Sequence, residues 1–211
     1  MTPNFNLYLI TDRKQTKLPL PDAVRLALQG GVRAIQVREK DLPVRELLAL
    51  ARDLRSLTNE FKAKLFINDR VDVAVAVDAD GVHLGHESMP VDAARKIVGR
   101  KMLIGASTHN LDEAKQAEAG GADFVTFGPI FSTPSKMSYG APAGVEALQA
   151  VKKTIHIPVF GLGGIKQENV ADVLVAGADG IAMISAIISA DDVAQAAHDM
   201  VREIARGSRH G

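Results

Sequence analysis

The chain contains no cysteine among its 211 residues, which excludes a disulfide framework, a thiolate-bound metal and a cysteine nucleophile. That absence fits a reducing cytoplasm. An excess of charge is lacking too, since 25 Lys and Arg stand against 25 Asp and Glu. With no global attraction to nucleic acid or to an acidic membrane, any anion binding has to be local. No apolar run approaches membrane-spanning length, and Met1 to Thr11 lacks the charged flank and long apolar stretch of a secretory signal. These absences make a soluble cytoplasmic protein the expectation, without nucleic-acid or membrane partners. What the chain does have is a hydrophobic content of 46%. At this length that supports one substantial core and a single domain over 1–211.

Short strand-like runs recur at Leu7–Thr11, Ala34–Arg38, Lys64–Asn68, Gly81–Gly85, Met102–Ser107, Phe124–Gly128, Pro158–Gly163 and Gly180–Ser185. Helix-like segments lie between them, near Pro21–Gln29, Pro43–Glu60, Val71–Val77, Pro90–Val98, Leu111–Ala119, Gly144–Lys153, Gln167–Ala176 and Asp191–Arg206. Within these, apolar residues repeat at spacings of three and four, as in Leu47, Leu50, Ala51 and Leu54. Strict alternation argues for parallel β-α units, and eight of them without a break predict an α/β fold, a (β/α)8 TIM barrel. The turns Gly30-Gly31-Val32-Arg33, Gly120-Gly121-Ala122-Asp123 and Ala176-Gly177-Ala178-Asp179 echo one another between helix and strand, a structural repeat and not a functional one.

In such a barrel the chemistry gathers where the strands end at their carboxyl termini. That rule selects Arg38 and Lys40 after the second strand, where Gln36 adds an amide within the end of the run, Asn68 and Asp69 after the third and the Glu87-Ser88 turn after the fourth. It also selects Ser107, Thr108 and His109 after the fifth, the loop 132–140 after the sixth, Gly163-Gly164 after the seventh and Ser185 after the eighth. The set is cationic and hydroxylic. Each member has a plainer reading: Arg38 and Lys40 as solvated charges, Asn68-Asp69 as the cap of the next helix, His109 as a turn residue, His83 as a packed, hydrogen-bonded strand residue. Independent capping residues have no reason to converge with cations on one rim.

The last two units carry a further signal. Gly161-Leu162-Gly163-Gly164-Ile165 and Ile184-Ser185-Ala186 end the seventh and eighth strands, where these barrels often hold a phosphate on backbone amides and the start of a short helix. The sixth loop, Gly128 to Lys136, is long, rich in hydroxyls and carries a lysine. A loop of that kind on the active rim suits a lid.

Taken together with Gln36-x-Arg38-x-Lys40 and Gly105-Ala106-Ser107-Thr108-His109, these ordered motifs make the chain resemble the thiamine phosphate synthases from Tyr8-Leu9-Ile10-Thr11-Asp12 to Ser185-Ala186-Ile187. The resemblance implies a Mg2+-assisted transferase in which the ring nitrogen of thiazole phosphate displaces pyrophosphate from 4-amino-5-hydroxymethyl-2-methylpyrimidine diphosphate. It further implies that Arg38, Lys40, Asn68 and Lys136 hold the diphosphate, that Asp69 ligates the metal, and that Gln36 and Ser107 position the pyrimidine and the diphosphate. Lys136, Arg38 and Ser107 are then the catalytic candidates. Thr133 and Ser135 would face the thiazole, with its phosphate on Gly164, Ile184 and Ser185.

One departure from the family pattern concerns the metal. Where a second acidic ligand is usual, this chain reads His83-Leu84-Gly85-His86-Glu87-Ser88, so Ser88 replaces the aspartate. The sister family of thiazole tautomerases fits Ser88 better, whereas Lys40, Asn68-Asp69, Lys136 and Pro129 favour the synthases. A paralog that binds thiazole or thiamine phosphate without turnover is the third reading, and a homo-oligomer is allowed by all three.

Overall fold

Eight parallel strands close on themselves in sequence order in the computed structural model, which describes residues 3–133 and 141–207. They are β1 (Leu7–Ile10), β2 (Ala34–Val37), β3 (Lys64–Asn68), β4 (Gly81–Leu84), β5 (Leu103–Thr108), β6 (Phe124–Phe127), β7 (Val159–Leu162) and β8 (Gly180–Met183). The helices packed around them are α1 (Leu20–Gln29), α2 (Val44–Glu60), α3 (Val71–Ala76), α4 (Val91–Val98), α5 (Leu111–Ala119), α6 (Gly144–Thr154), α7 (Val170–Val175), α8 (Ser185–Ile188) and α9 (Val193–Gly207). The (β/α)8 barrel expected from the alternation is therefore the fold.

Helical periodicity explains which face each helix buries. In α2 the buried residues are Leu47, Ala51, Leu54, Leu57 and Thr58, and in α9 they are Val193, Ala197, Met200 and Ile204, each set on one stripe. Proline precedes α1, α2 and α4 at Pro19, Pro43 and Pro90, and Asn110 caps α5 by accepting from Glu113 N at 2.9 Å. The eighth strand stops at Met183, short of the expected Ser185. Ile184 leaves the extended conformation (φ −119°, ψ −89°), and Ser185 opens the four-residue α8.

Along each strand, side chains alternate between the helices and the barrel axis. Ile35, Val37, Leu65, Ile67, Val82 and Ile104 join the layer packed on the helices, while Tyr8, Ala34, Phe66, Phe124, Phe160 and Ala182 form a separate cluster inside. The inner cluster obeys a simple fit. Phe66 is registered opposite Gly81, Phe124 opposite Gly105 and Phe160 opposite Gly180. A methyl group added at those glycines would lie 2.3, 2.5 and 2.5 Å from the facing ring, so each ring occupies the space its neighbour gives up. Phe5 closes the layer from below, with its ring centroid 5.3–5.8 Å from those of Phe160, Tyr8, Phe66 and Phe124.

The amino-terminal rim is pinned by three aspartates at equivalent turns. Asp80 accepts from Leu65 N at 3.0 Å, Asp123 from Ile104 N at 2.7 Å and Asp179 from Val159 N at 2.7 Å. Each also meets a cation: Arg55 and Lys64, Arg95, and Lys152 respectively. Two of the echoed turns, those ending in Asp123 and Asp179, carry this clasp, which Asp80 repeats in a turn of different sequence, whereas the first echoed turn ends in Arg33, bonded to Leu28 O and Val32 O.

Phe124 touches every other ring in the layer. Phe124→Ala is expected to lower unfolding free energy by about 3–5 kcal/mol, measured by urea denaturation with an unchanged slope.

Candidate active site

Above the aromatic layer, the next inward-facing positions are Gln36 on β2, His83 on β4, Ser107 on β5 and Thr126 on β6. They form the floor of a cavity of about 610 Å³ at the carboxyl-terminal end of the barrel. Of the expected substrate-binding residues, Gln36, Arg38, Asn68, Ser107, Thr133, Gly164, Ile184 and Ser185 all line it. Ser135 and Lys136 lie outside the described residues.

The floor is one hydrogen-bonded chain. Gln36 Nε2 donates to the Tyr8 hydroxyl at 3.2 Å, Tyr8 Oη lies 3.4 Å from His83 Nδ1, and His83 Nε2 lies 3.0 Å from Ser107 Oγ. Thr126 Oγ1 is a second neighbour of Nε2, at 3.4 Å. The Tyr8 hydroxyl can meet Nδ1 as donor or as acceptor, and the Ser107 hydroxyl can do the same at Nε2, so the chain is continuous in either imidazole tautomer. Burial, reinforced by the positive charge of Arg38, pushes the His83 pKa down to about 3. It is a neutral hydrogen-bonding residue, as its place inside an apolar strand suggested. Tyr8, whose pKa burial drives well above its ordinary value, was legible only as a strand residue. Its function in the floor depends on the β1–β8 closure, which no local pattern displays.

Charge begins at the rim. Among the described residues the side chains of Arg38, Lys40 and Asp69 make no ion pair, and the neighbouring Arg70 is engaged by Asp72. Lys40 and Asp69 are exposed and stand outside the cavity's lining. Asp69 does not serve as a helix cap. The residue before α3 is Arg70, with no side-chain cap bond. Asp69 instead takes φ +64°, a conformation rare outside glycine, while its N–H donates to His83 O at 2.8 Å. Strain of that kind accumulates where a side chain must be presented in one direction. Ser88 folds back in the next loop, its Oγ accepting from Gly85 N at 2.8 Å. His109 also lines the cavity but is held by Glu113, with Nδ1 to Oε2 at 3.0 Å.

The opposite wall is backbone. Gly163 and Gly164 adopt φ of 96° and 67°, and a Cβ there would come within 2.7 Å of Pro129 and of Phe131 respectively. The first part of the sixth loop rests on them: Ile130 N donates to Leu162 O at 2.9 Å and Phe131 N to Gly163 O at 3.0 Å. Residues 128–131 are accordingly fixed to the barrel. The expected lid does not include them.

No group of three or more His, Asp or Glu side chains among the described residues could cage a metal ion. The donors available are the Asp69 carboxylate and the Ser88 and Glu87 loop. A magnesium ion, which keeps several waters and is commonly held by one or two carboxylates together with substrate phosphates, would need no such cage.

A neutral floor, a rim whose Arg38, Lys40 and Asp69 make no ion pair among the described residues, and a glycine wall after β7 define a (β/α)8 barrel with its cavity at the carboxyl-terminal ends of the strands. The family model described as thiamine monophosphate synthase matches residues 7–187. A Geobacter sulfurreducens protein, provisionally named a thiamine-phosphate synthase, is 57% identical over 190 residues, covering 90% of this chain and 89% of that one. Thiamine-phosphate synthase of Moorella thermoacetica is 47% identical over 208 residues, 98% and 99% of the two chains. The solved thiamine phosphate pyrophosphorylase of Pyrococcus furiosus superposes with a TM-score of 0.89 at 43% identity, covering 96% of each chain. The chain belongs to the thiamine monophosphate synthase family, transferases of thiamine biosynthesis. No described helix is long and apolar enough to cross a membrane.

The depressed histidine gives a pH signature. An unfolded histidine takes up a proton near 6.5 while folded His83 resists to about 3, so the unfolded chain binds more protons in that window. Stability contributed by His83 is complete above pH 6.5 and is lost as pH falls toward 3. Thermal melts of His83→Gln are expected to show a shallower acid decline than the parent.

Proposed function

We propose that the cavity joins 4-amino-5-hydroxymethyl-2-methylpyrimidine diphosphate to thiazole phosphate, giving thiamine phosphate and pyrophosphate, with magnesium as the cofactor. The observation that carries this reading is the sharp division between the neutral floor and the unpaired charged rim. In the floor, Gln36 commits an N–H to Tyr8 and retains its amide oxygen as an acceptor. Ser107 Oγ, 3.0 Å from His83 Nε2, carries a hydroxyl that can both donate and accept. An aminopyrimidine edge offers the complement, an amino donor beside a ring-nitrogen acceptor.

The diphosphate would then project toward Arg38, Lys40 and Asn68, with Lys136 from the sixth loop as a further cation. Bond breaking between the methylene carbon and the diphosphate oxygen sends the electron pair out with pyrophosphate. Positive charge grows on the methylene carbon and is shared with the aminopyrimidine ring. The thiazole nitrogen then supplies the electron pair for the new C–N bond. No protein nucleophile is needed; the residues orient the reactants and stabilise the departing charge. Asp69 would hold magnesium, which supplies charge neutralisation to the diphosphate when bound. Ser88 would stand behind that site through water. The thiazole would lie near Thr133 and Ser135, its phosphate on the amides of Gly164, Ile184 and Ser185. We place the reaction in the cytoplasm, with these two small molecules as partners. Neither nucleic acid nor membrane has a part, and a homo-oligomer is compatible with the site.

A mass-resolved assay with both substrates and magnesium is expected to show thiamine phosphate and pyrophosphate rising in step; an isomerised thiazole phosphate alone would transfer the site to the tautomerase reading. Arg38→Ala is expected to lower kcat/KM by about 10²–10³. In magnesium titrations of turnover, Asp69→Asn should demand more metal and Ser88→Asp less; an unchanged requirement in both would remove this rim from metal binding.

A further inference from the structure

Glu39 stands in sequence between the two cations assigned to the diphosphate, yet its carboxylate is only 2% exposed and is bound to a different loop. Its partners all come from the segment after β1. Thr11 Oγ1 donates to Glu39 Oε1 at 2.6 Å, Arg13 N approaches Oε1 and Oε2 at 3.2 and 3.1 Å, and Arg13 Nη1 reaches Oε2 at 3.2 Å. Arg13 continues outward to Asp41 through paired bonds of 2.6 and 2.9 Å. The same Thr11 hydroxyl that gives its hydrogen to Glu39 accepts from Arg38 N at 3.0 Å. Leu42 N donating to Glu39 O at 3.1 Å closes the turn that contains Lys40.

We propose that Glu39, through Thr11 and Arg13, is the positioning residue of the diphosphate site; this rests on the reading of Arg38 and Lys40 given above. Anchoring Glu39 against the β1–α1 loop leaves its neighbour Arg38 to the cavity and starts the turn, closed by Leu42 N on Glu39 O, from which Lys40 rises at the rim. A buried carboxylate is tolerated only with its hydrogen bonds complete. That demand makes the anchor stiff. It also explains a glutamate amid cations: a free carboxylate there would compete with the diphosphate for Arg38 and Lys40, whereas this one is fully occupied by Thr11 and Arg13. The backbone of Arg38 is clamped on one side by Thr11 and on the other by its own neighbour's side chain. Two long cationic side chains thus start from a fixed base, which reduces the entropy lost when an anion gathers them.

The test is calorimetric titration of inorganic pyrophosphate with magnesium into the full chain, alongside KM for each substrate. Glu39→Gln and Thr11→Val should each weaken pyrophosphate about tenfold or more, the scale of a misplaced charge-assisted bond. KM for the pyrimidine diphosphate should rise while that for thiazole phosphate stays within about twofold, and Thr11→Ser, which keeps the hydroxyl, should recover most of the loss. Pyrophosphate binding unaffected by Glu39→Gln and Thr11→Val but lost in Arg38→Ala would overturn the positioning role alone. Binding unaffected in Arg38→Ala would overturn the diphosphate reading and this inference with it. A joint rise of both KM values would also overturn it, marking Glu39 as merely structural. Should Glu39→Gln fail to fold, the Thr11 pair decides.

Discussion

The interior of this barrel is set by the fit of a phenylalanine ring against a glycine on the adjoining strand, made three times around one layer. Phe66 with Gly81, Phe124 with Gly105 and Phe160 with Gly180 share the limited space that eight closed strands leave. Close packing at interior density allows no partial solution, because a larger residue at any of the glycines meets a ring edge at once. Once the layer is filled with rings, the next inward positions lie above a dry apolar base. A polar residue there must find its partner sideways, from another strand. Gln36, His83 and Ser107 do so, joined through the hydroxyl that Tyr8 raises from the layer below.

Charge is divided between the two ends of the same barrel. At the amino-terminal rim, Asp80, Asp123 and Asp179 each satisfy a backbone amide and a cation. Those groups contribute to holding neighbouring strands and have nothing left to offer a ligand. At the carboxyl-terminal rim, Arg38, Lys40 and Asp69 lack such partners among the described residues. Leaving charges without partners costs stability, and the loss is confined to the loops above the cavity.

Much of this was legible in the sequence because barrel position and residue type are both local signals. Alternation gave eight units, and the rule that chemistry gathers at strand ends drew Gln36, Arg38, Asn68 and Ser107 from widely separated segments into one cavity. Two kinds of information were not legible. The first was register: nothing near Gly105 says that a ring from Phe124 will occupy its side-chain space, and nothing near Tyr8 says that its hydroxyl will meet His83. The second was direction. Asn68-Asp69 has the composition of a helix cap, and only the left-handed backbone of Asp69 separates it from that role. Glu39 likewise has the composition of a solvated charge, and its burial depends on Thr11 and Arg13 arriving from another unit.

Phe5 also bears on how the molecule is used. Packed beneath the four rings that already fill the barrel, it thickens the closed base of what is a blind well rather than a tube. Whatever is consumed and whatever is made must pass through the same mouth, between the same charged lips.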